Sequence, residues 1–299
     1  MKLILSRKGF DSSPQYGACA SPILPDGRMV SLPIPHASGT TTFGELGYVR
    51  LDVGQLVSDL TGGKLTGAER AHLDPDLDPA VRPRRRGWRA AFGQAGAAQR
   101  HLERQGVGVG DLFLFFGWFR RVEKSGECYR YRDAPSGAHV IFGWLRVGHV
   151  LRVGLDDLPD WLGDHPHAGR DWAHNTIYVG EPSGGGGSFE RFHPCLQLTD
   201  PAATRRSIWR LPSDFLPGSR PPLTYHGDAR RWVDDGDSCR LQSVAKGQEF
   251  VLDLADYPRV RQWAGDTIRG GSSSSPASAP VFTARRAGRS PRRSPAGLP

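Results

Sequence analysis

The 299-residue chain has no hydrophobic run long enough to cross a membrane. Its longest apolar stretch, Asp111–Phe119, is far shorter than the roughly 20 residues that a transmembrane helix needs. The N-terminus becomes charged at Arg7 and Lys8 after a short apolar segment, which is typical of a first β-strand and lacks the core of a signal peptide. We therefore expect a soluble, cytoplasmic protein that makes no contact with membrane.

The chain also has few cysteines, and they are far apart. The four are Cys19, Cys128, Cys195 and Cys239. Because no Cys-x-x-Cys pair is present, neither a disulfide framework nor a zinc ribbon is expected. Free thiols in a reducing compartment fit this spacing best. The high content of Arg, Gly, Pro and Ala is typical of a GC-rich bacterial genome.

Several catalytic motifs are missing. The sequence contains neither a Gly-x-x-x-x-Gly-Lys-Ser/Thr phosphate loop nor a Gly-x-Gly-x-x-Gly dinucleotide fingerprint. It also lacks Gly-x-Ser-x-Gly and the Pro-Cys-x-x-Cys pattern of zinc deaminases. These absences disfavour nucleoside-triphosphate hydrolysis, dinucleotide redox chemistry, nucleophile-elbow hydrolysis and base deamination.

Positive charge is concentrated near the C-terminus. From Gly270 onward there are five arginines and no acidic residue, so residues 1–269 carry only +3 of the net charge of +8. The Ser- and Pro-rich composition after Gly270 predicts a disordered tail over 270–299 and one folded domain over 1–269. A basic tail weakly favours anionic partners such as nucleic acid.

The folded part has an α+β pattern. Apolar strand signals are separated by long loops, and Ala90–Gln105 has the apolar spacing of a helix. The predicted strands include 1–6, 112–116, 129–132, 138–150, 175–180, 207–211 and 250–253. The long strand over 138–150 is expected to bend at Gly143. We expect a curved antiparallel sheet or a small β-barrel in the middle, with flanking helices and long loops.

The segment His72-Leu-Asp74-Pro-Asp76-Leu-Asp78 carries the most chemically active side chains. In an extended segment, residues at a spacing of two point to one side. Imidazole and carboxylate together suit iron, manganese or zinc, so His72, Asp74 and Asp76 are predicted metal ligands, with His72 and Asp74 also catalytic. The alternative is a polar loop whose aspartates cap turns.

His72-x-Asp74 also matches the first two ligands of the two-His-one-carboxylate site of non-heme iron oxygenases. Such a site needs one further histidine, distant in the sequence. The available residues are His139, His165, His167, His174 and His193. The sequence leaves the choice among them open.

A second polar stretch, Asp164–Asn175, contains three histidines just before a predicted strand, a place where loops carry binding sites. His174 is a candidate general base. Trp172 can stack on a base and Asn175 can hydrogen-bond to one, so both are predicted to bind substrate. The alternative is a surface loop with incidental histidines.

The loop after the first strand is a third candidate. Arg7 and Lys8 can bind phosphate, together with the hydroxyls of Ser12 and Ser13. Asp11 in the same loop is a candidate catalytic carboxylate. The alternative is that Asp11 caps a turn while the two basic residues lie in solvent.

Seven motifs carry a likeness to a known family: 6–13, 21–28, 31–35, 72–78, 110–118, 142–145 and 174–178. Together they resemble the nucleotide modification associated domain 3 family over roughly residues 1–265. The resemblance implies a role near modified bases in DNA, RNA or free nucleotides, and assigns no catalytic residue. The pattern of the middle region is also similar to the small barrels of the PUA, ASCH and EVE group, which often bind RNA or modified bases.

The sequence therefore predicts a participant in nucleotide or nucleic-acid base modification, with a nucleotide or a nucleic acid as its partner. One interpretation is a metal-dependent enzyme that uses the His72-x-Asp74 segment. The other is a non-catalytic module that recognises modified bases through a PUA-like barrel.

Overall fold

The computed structural model describes residues 1–10, 19–133 and 137–272. The predicted site residues Asp11, Ser12 and Ser13 lie outside these ranges, as does the tail beyond Ser272. Within the described ranges, no helix combines the length and the apolar character needed to span a bilayer.

Most strands belong to one large mixed sheet. The strands are β1 (Lys2–Arg7), β2 (Ser21–Ile23), β3 (Ile34–Pro35), β4 (Thr41–Thr42), β5 (Gly47–Tyr48), β6 (Leu51–Asp52), β7 (Arg70–His72), β8 (Ala91–Gln94), β9 (Leu112–Ser125), β10 (Cys128–Tyr131), β11 (Ala138–Arg152), β12 (Thr176–Gly180), β13 (Gly186–Ser188), β14 (Ile208–Pro212), β15 (Trp232–Asp235), β16 (Ser238–Gln242) and β17 (Glu249–Asp253). The main path of the large sheet is β17–β1–β9–β11–β12–β8, and β2, β10 and β13 pair with it at the sides. The helices are α1 (Val53–Thr61), α2 (Gly96–Arg104) and α3 (Pro258–Ser272).

The sheet is open, so the closed small barrel considered above is not found among the described residues. β1 pairs with β9 in parallel, whereas β9, β11, β12 and β8 follow one another antiparallel. β11 carries a register shift between Ile141 and Gly143, where the sequence predicts a bend. A side chain at position 143 would meet Leu77 and the carbonyl of Gly187, so the close approach of these segments requires glycine there.

The predicted helix over residues 90–105 is only partly present. Its first residues instead form β8, which pairs with β12 along the sheet edge, and the helix α2 begins at Gly96. Phe92 is fully buried against Tyr178, with stacked rings 6.0 Å apart. The burial of Phe92 in the sheet therefore outweighs the helix-like spacing of the apolar residues in this segment. At the other end of the chain, α3 extends through Gly270 to Ser272.

An aromatic core lies around the first half of β9. Leu112–Phe119 is buried along its whole length, which explains why this strand is a continuous apolar run with no alternation. Phe113, Phe115 and Phe116 pack against aromatic rings from other strands. A second cluster contains Phe10, Phe43 and the buried face of α1, and it covers the region around β7. The segment after β7 is joined to β8 by a bridge between Asp76 and Ala91.

His139 is a buried histidine of the aromatic core. Its Nδ1 accepts a hydrogen bond of 2.9 Å from the indole N–H of Trp209. Burial, together with the positive charges of Arg7 and Arg206, lowers the pKa of His139 to about 3. The imidazole is therefore neutral in the folded protein at any ordinary pH.

The stability of the protein should consequently fall as the pH decreases from 6.5 towards 3, because the unfolded chain then takes up a proton that folded His139 does not bind. In His139→Asn, an amide oxygen can replace Nδ1 as the acceptor for Trp209 without titrating. We expect the loss of unfolding free energy between pH 7 and pH 5 to be smaller in this variant by about 2 kcal/mol. Urea denaturation at both pH values measures it, and equal losses in the two proteins would contradict the buried neutral state.

Candidate metal centre

Three side chains from two distant segments meet beside β8. His72 is the last residue of β7, Asp74 follows two residues later, and His167 lies in the loop before β12. Asp74 Oδ2 is 4.0 Å from His72 Nε2 and 3.5 Å from His167 Nε2. One ligand atom from each residue lies within 4.8 Å of the other two, a grouping that can hold a metal ion. Of the five possible distant histidines, the structure thus brings His167 to His72 and Asp74.

The orientation of His167 is set by Asn175. Asn175 Nδ2 donates to the carbonyls of His167 and Arg170, both at 2.9 Å, so its Oδ1 faces the imidazole of His167. His167 Nδ1 is 2.7 Å from that oxygen and must therefore carry the hydrogen. The lone pair of Nε2 consequently faces Asp74. A hydrogen bond of this kind to the outer ring nitrogen is typical of metal-binding histidines.

His72 is oriented by a chain of hydrogen bonds through Ser38. His36 Nδ1 accepts from the backbone N–H of Ser38 at 3.1 Å and lies 2.5 Å from its hydroxyl, which therefore donates to it. The Ser38 oxygen lies 3.5 Å from His72 Nδ1 and is free to accept from it. His72 thus also directs its Nε2 lone pair towards Asp74.

The protonation states suit metal binding. Burial lowers the pKa of His72 to about 4 and also lowers the pKa of His167. Burial alone would raise the pKa of Asp74, but the neighbouring imidazoles of His165, His167 and His72 outweigh it and lower that pKa to about 2. At neutral pH the group therefore consists of a carboxylate and neutral imidazoles, the forms that bind metals.

Gly93 in β8 permits the close packing of the group. Its backbone N–H donates to Asp74 Oδ1 at 2.7 Å. A Cβ atom at position 93 would overlap the imidazole ring of His167. Because glycine has no side chain, the backbone of β8 can donate to the carboxylate of Asp74 while the imidazole of His167 packs directly against that backbone.

The outer side of the group is bordered by two loops. The half-buried indole of Trp172 lies 4.9 Å from the ring of His167 and 6.2 Å from that of His72, measured between centroids. His36 is exposed, and its ring lies 5.7 Å from His72. Arg170 ties the two loops together by donating to the carbonyl of Ser38 at 2.9 Å. Trp172, His36 and Arg170 therefore form a partly exposed rim beside the buried ligands.

The other predicted ligand, Asp76, lies outside the group. Arg84 contacts both of its carboxylate oxygens, at 2.6 and 2.7 Å, and Arg82 lies 3.5 Å away. The side chain of Asp76 is only 3% exposed. Its role in the described structure is to anchor the segment that carries Asp74.

The remaining predicted residues that the structure describes are not members of the group. His174 contacts Glu103 of α2 at 3.2 Å, and Asn175 supports His167 and is buried away from solvent. Arg7 donates to the carbonyls of Val244 and Ala245, while Lys8 forms an ion pair with Glu249 at 2.8 Å.

Sequence reasoning missed two residues that the group depends on. Ser38 and Gly93 act through a hydroxyl and a backbone N–H, and neither leaves a recognisable signal in the sequence. His165, which lies 3.5 Å from Asp74 Oδ1, was among the five histidines that the sequence offered as a distant ligand.

A family model described as nucleotide modification associated domain 3 matches residues 2–253, which includes all the residues of the group. No curated protein and no solved structure shows a significant match.

Loss of the Asp76 ion pair should destabilise the protein strongly. Arg84→Ala leaves a buried carboxylate without its main partner, and we expect a loss of about 3–5 kcal/mol in unfolding free energy. Arg85→Ala is the matched control, because its ion pair with Asp164 is half exposed and should contribute about 0–1 kcal/mol. Urea denaturation of both variants tests this. Similar losses in the two would contradict an anchoring role for Asp76.

Proposed function

The chain belongs to the nucleotide modification associated domain 3 family, and from this premise we propose that it is a metal-dependent enzyme that modifies a base in a nucleotide or nucleic acid. The observation that carries the proposal is the buried grouping of His72, Asp74 and His167. Asp74 and His167 are 93 residues apart in the sequence, yet one ligand atom from each of the three residues lies within 4.8 Å of the other two. A binding module that only recognises bases has no need of such a convergence.

The donor set indicates which metals fit. Two imidazole nitrogens and one carboxylate oxygen suit iron(II), manganese(II) or zinc. Iron(II) fits best, because two histidines and one carboxylate with open positions are the ligands of non-heme iron oxygenases. A metal held there would supply Lewis acidity or redox chemistry at its open positions. Hydrogen bonds from the protein prepare the three ligands. Asn175 and Ser38 keep Nε2 of His167 and of His72 deprotonated, and the N–H of Gly93 stabilises the charged carboxylate of Asp74.

The rim supports a flat aromatic substrate. Trp172 is half buried and lies against both histidines of the group, so a base stacked on its indole would be within reach of the open positions. A base within a duplex would have to leave the helix to reach so buried a group.

The metal content of the purified protein tests the first part of this proposal. Protein prepared without a His tag or chelator, under low oxygen, should contain about one equivalent of iron, manganese or zinc by mass spectrometry. Asp74→Ala and His167→Ala should lose this metal while remaining folded. Asp171→Asn, an exposed acidic residue of the same loop, should retain it. Folded, metal-free wild-type protein would contradict the proposal and favour a base-recognising role.

Substrate stacking on Trp172 is tested separately. Trp172→Ala should weaken binding of a fluorescent single-stranded oligonucleotide by about 10- to 100-fold, because one base–aromatic stack contributes roughly 1–3 kcal/mol. Trp161→Ala is the control, since that half-buried tryptophan of the same loop packs beside Arg89. Fluorescence anisotropy gives both dissociation constants. Equal weakening in the two variants would remove Trp172 from the binding surface.

A further inference from the structure

We infer that His165 is a positioning residue that makes Asp74 a one-oxygen ligand, bound through Oδ2 alone. The inference rests on the proposed metal function and adds the coordination mode of the carboxylate. It concerns a residue that is not itself among the three grouped ligands.

His165 is held in one orientation within the protein. The residue is only 3% exposed, and its backbone N–H donates to the carbonyl of Leu162 at 2.8 Å. Its Nδ1 accepts a hydrogen bond of 3.2 Å from the backbone N–H of His167. A neutral imidazole whose Nδ1 is an acceptor carries its hydrogen on Nε2. His165 therefore has no Nε2 lone pair to offer a metal, although it lies beside the ligands.

The Nε2–H of His165 faces the carboxylate of Asp74. The nitrogen lies 3.5 Å from Asp74 Oδ1, and it is buried without a hydrogen bond to any of the described residues. Because an unsatisfied buried donor costs about 1–3 kcal/mol, a small movement that shortens this contact is favourable. Asp74 Oδ1 already accepts the N–H of Gly93 at 2.7 Å, so two donors point at the same oxygen.

The other oxygen is left for the metal. Of the two Asp74 oxygens, Oδ2 is the one nearer to both ligand nitrogens, at 3.5 Å from His167 Nε2 and 4.0 Å from His72 Nε2. With two N–H groups facing Oδ1, a metal chelated through both oxygens would compete with these groups for the lone pairs of Oδ1. His165 thereby limits Asp74 to one coordination position and keeps the others open for water, substrate or a second reactant.

Two substitutions separate the hydrogen bond at Nδ1 of His165 from the contact between its Nε2 and Asp74. In His165→Gln, the amide nitrogen can take the place of Nε2 and still donate to Asp74, but the acceptor for His167 is lost. In His165→Asn, the amide oxygen can take the place of Nδ1 and still accept from His167, but the donor to Asp74 is lost. His149→Gln is the control, because that histidine is exposed on β11.

Each metal-free protein would be titrated with cobalt(II) chloride, and both the affinity and the visible absorption would be recorded. We expect His165→Asn to bind cobalt about 10- to 100-fold more weakly than wild type. Its visible bands should also be less intense, because a second carboxylate oxygen raises the coordination number. His165→Gln and His149→Gln should resemble wild type. Circular dichroism and the thermal midpoint report whether each variant is folded.

The possible outcomes distinguish this inference from the proposed function. If His165→Asn binds like wild type, or if His165→Gln loses cobalt while His165→Asn retains it, the inference is wrong but the metal centre stands. Equal loss in both folded variants would also overturn it, because donation to Asp74 would then not be the decisive contact. If wild-type protein binds no cobalt, the proposed metal centre itself is wrong.

Discussion

The burial of one charged carboxylate, that of Asp74, is the constraint on which the site depends. Its side chain is 5% exposed, and a buried carboxylate is tolerated only when polar groups compensate for lost water. The compensation comes from the N–H groups of the Gly93 backbone and of the His165 imidazole, which face Asp74. Asp74, Gly93 and His165 lie in three separate parts of the chain, so the strand edge at β8 and the two loops beside it must be positioned correctly relative to one another.

Residues outside the His72–Asp74–His167 group orient its members and set their protonation. Asn175 and Ser38 determine which ring nitrogen of each histidine carries the hydrogen. Arg84 neutralises Asp76 and anchors the segment that carries Asp74. Because burial also keeps the imidazoles neutral, the group is ready to bind a cation at neutral pH without rearranging its protons.

Neighbouring residues of similar chemistry therefore have different roles. Asp74 and Asp76 are two positions apart, yet one faces three imidazoles and the other faces two arginines. His165 and His167 differ in the same way, because the hydrogen bond at Nδ1 is accepted in one and donated in the other. The name of the nucleotide modification associated domain 3 family, to which the chain belongs, links this arrangement to nucleotide modification.

Much of the fold could be predicted from local pattern. The continuous apolar run at the start of β9 and the long strand β11 with its irregularity at Gly143 were recognisable, since these features depend on residues close together in the chain. The family resemblance was also present in the motifs, and the match over residues 2–253 confirms it. The helix over residues 90–105 was only partly right, because β8 is stabilised by pairing with a strand some 80 residues away.

For the site, the sequence determined the types of ligand and the local pair His72-x-Asp74, because a spacing of two residues is a property of the chain itself. Only the tertiary structure decided that His167 completes the group, that Asp76 pairs with Arg84, and that the sheet stays open. These features depend on contacts between segments far apart in sequence. Which groups become buried or hydrogen-bonded there depends on how closely the backbones of those segments can approach each other. Gly93 illustrates the reason: its role comes from having no side chain beneath the ring of His167.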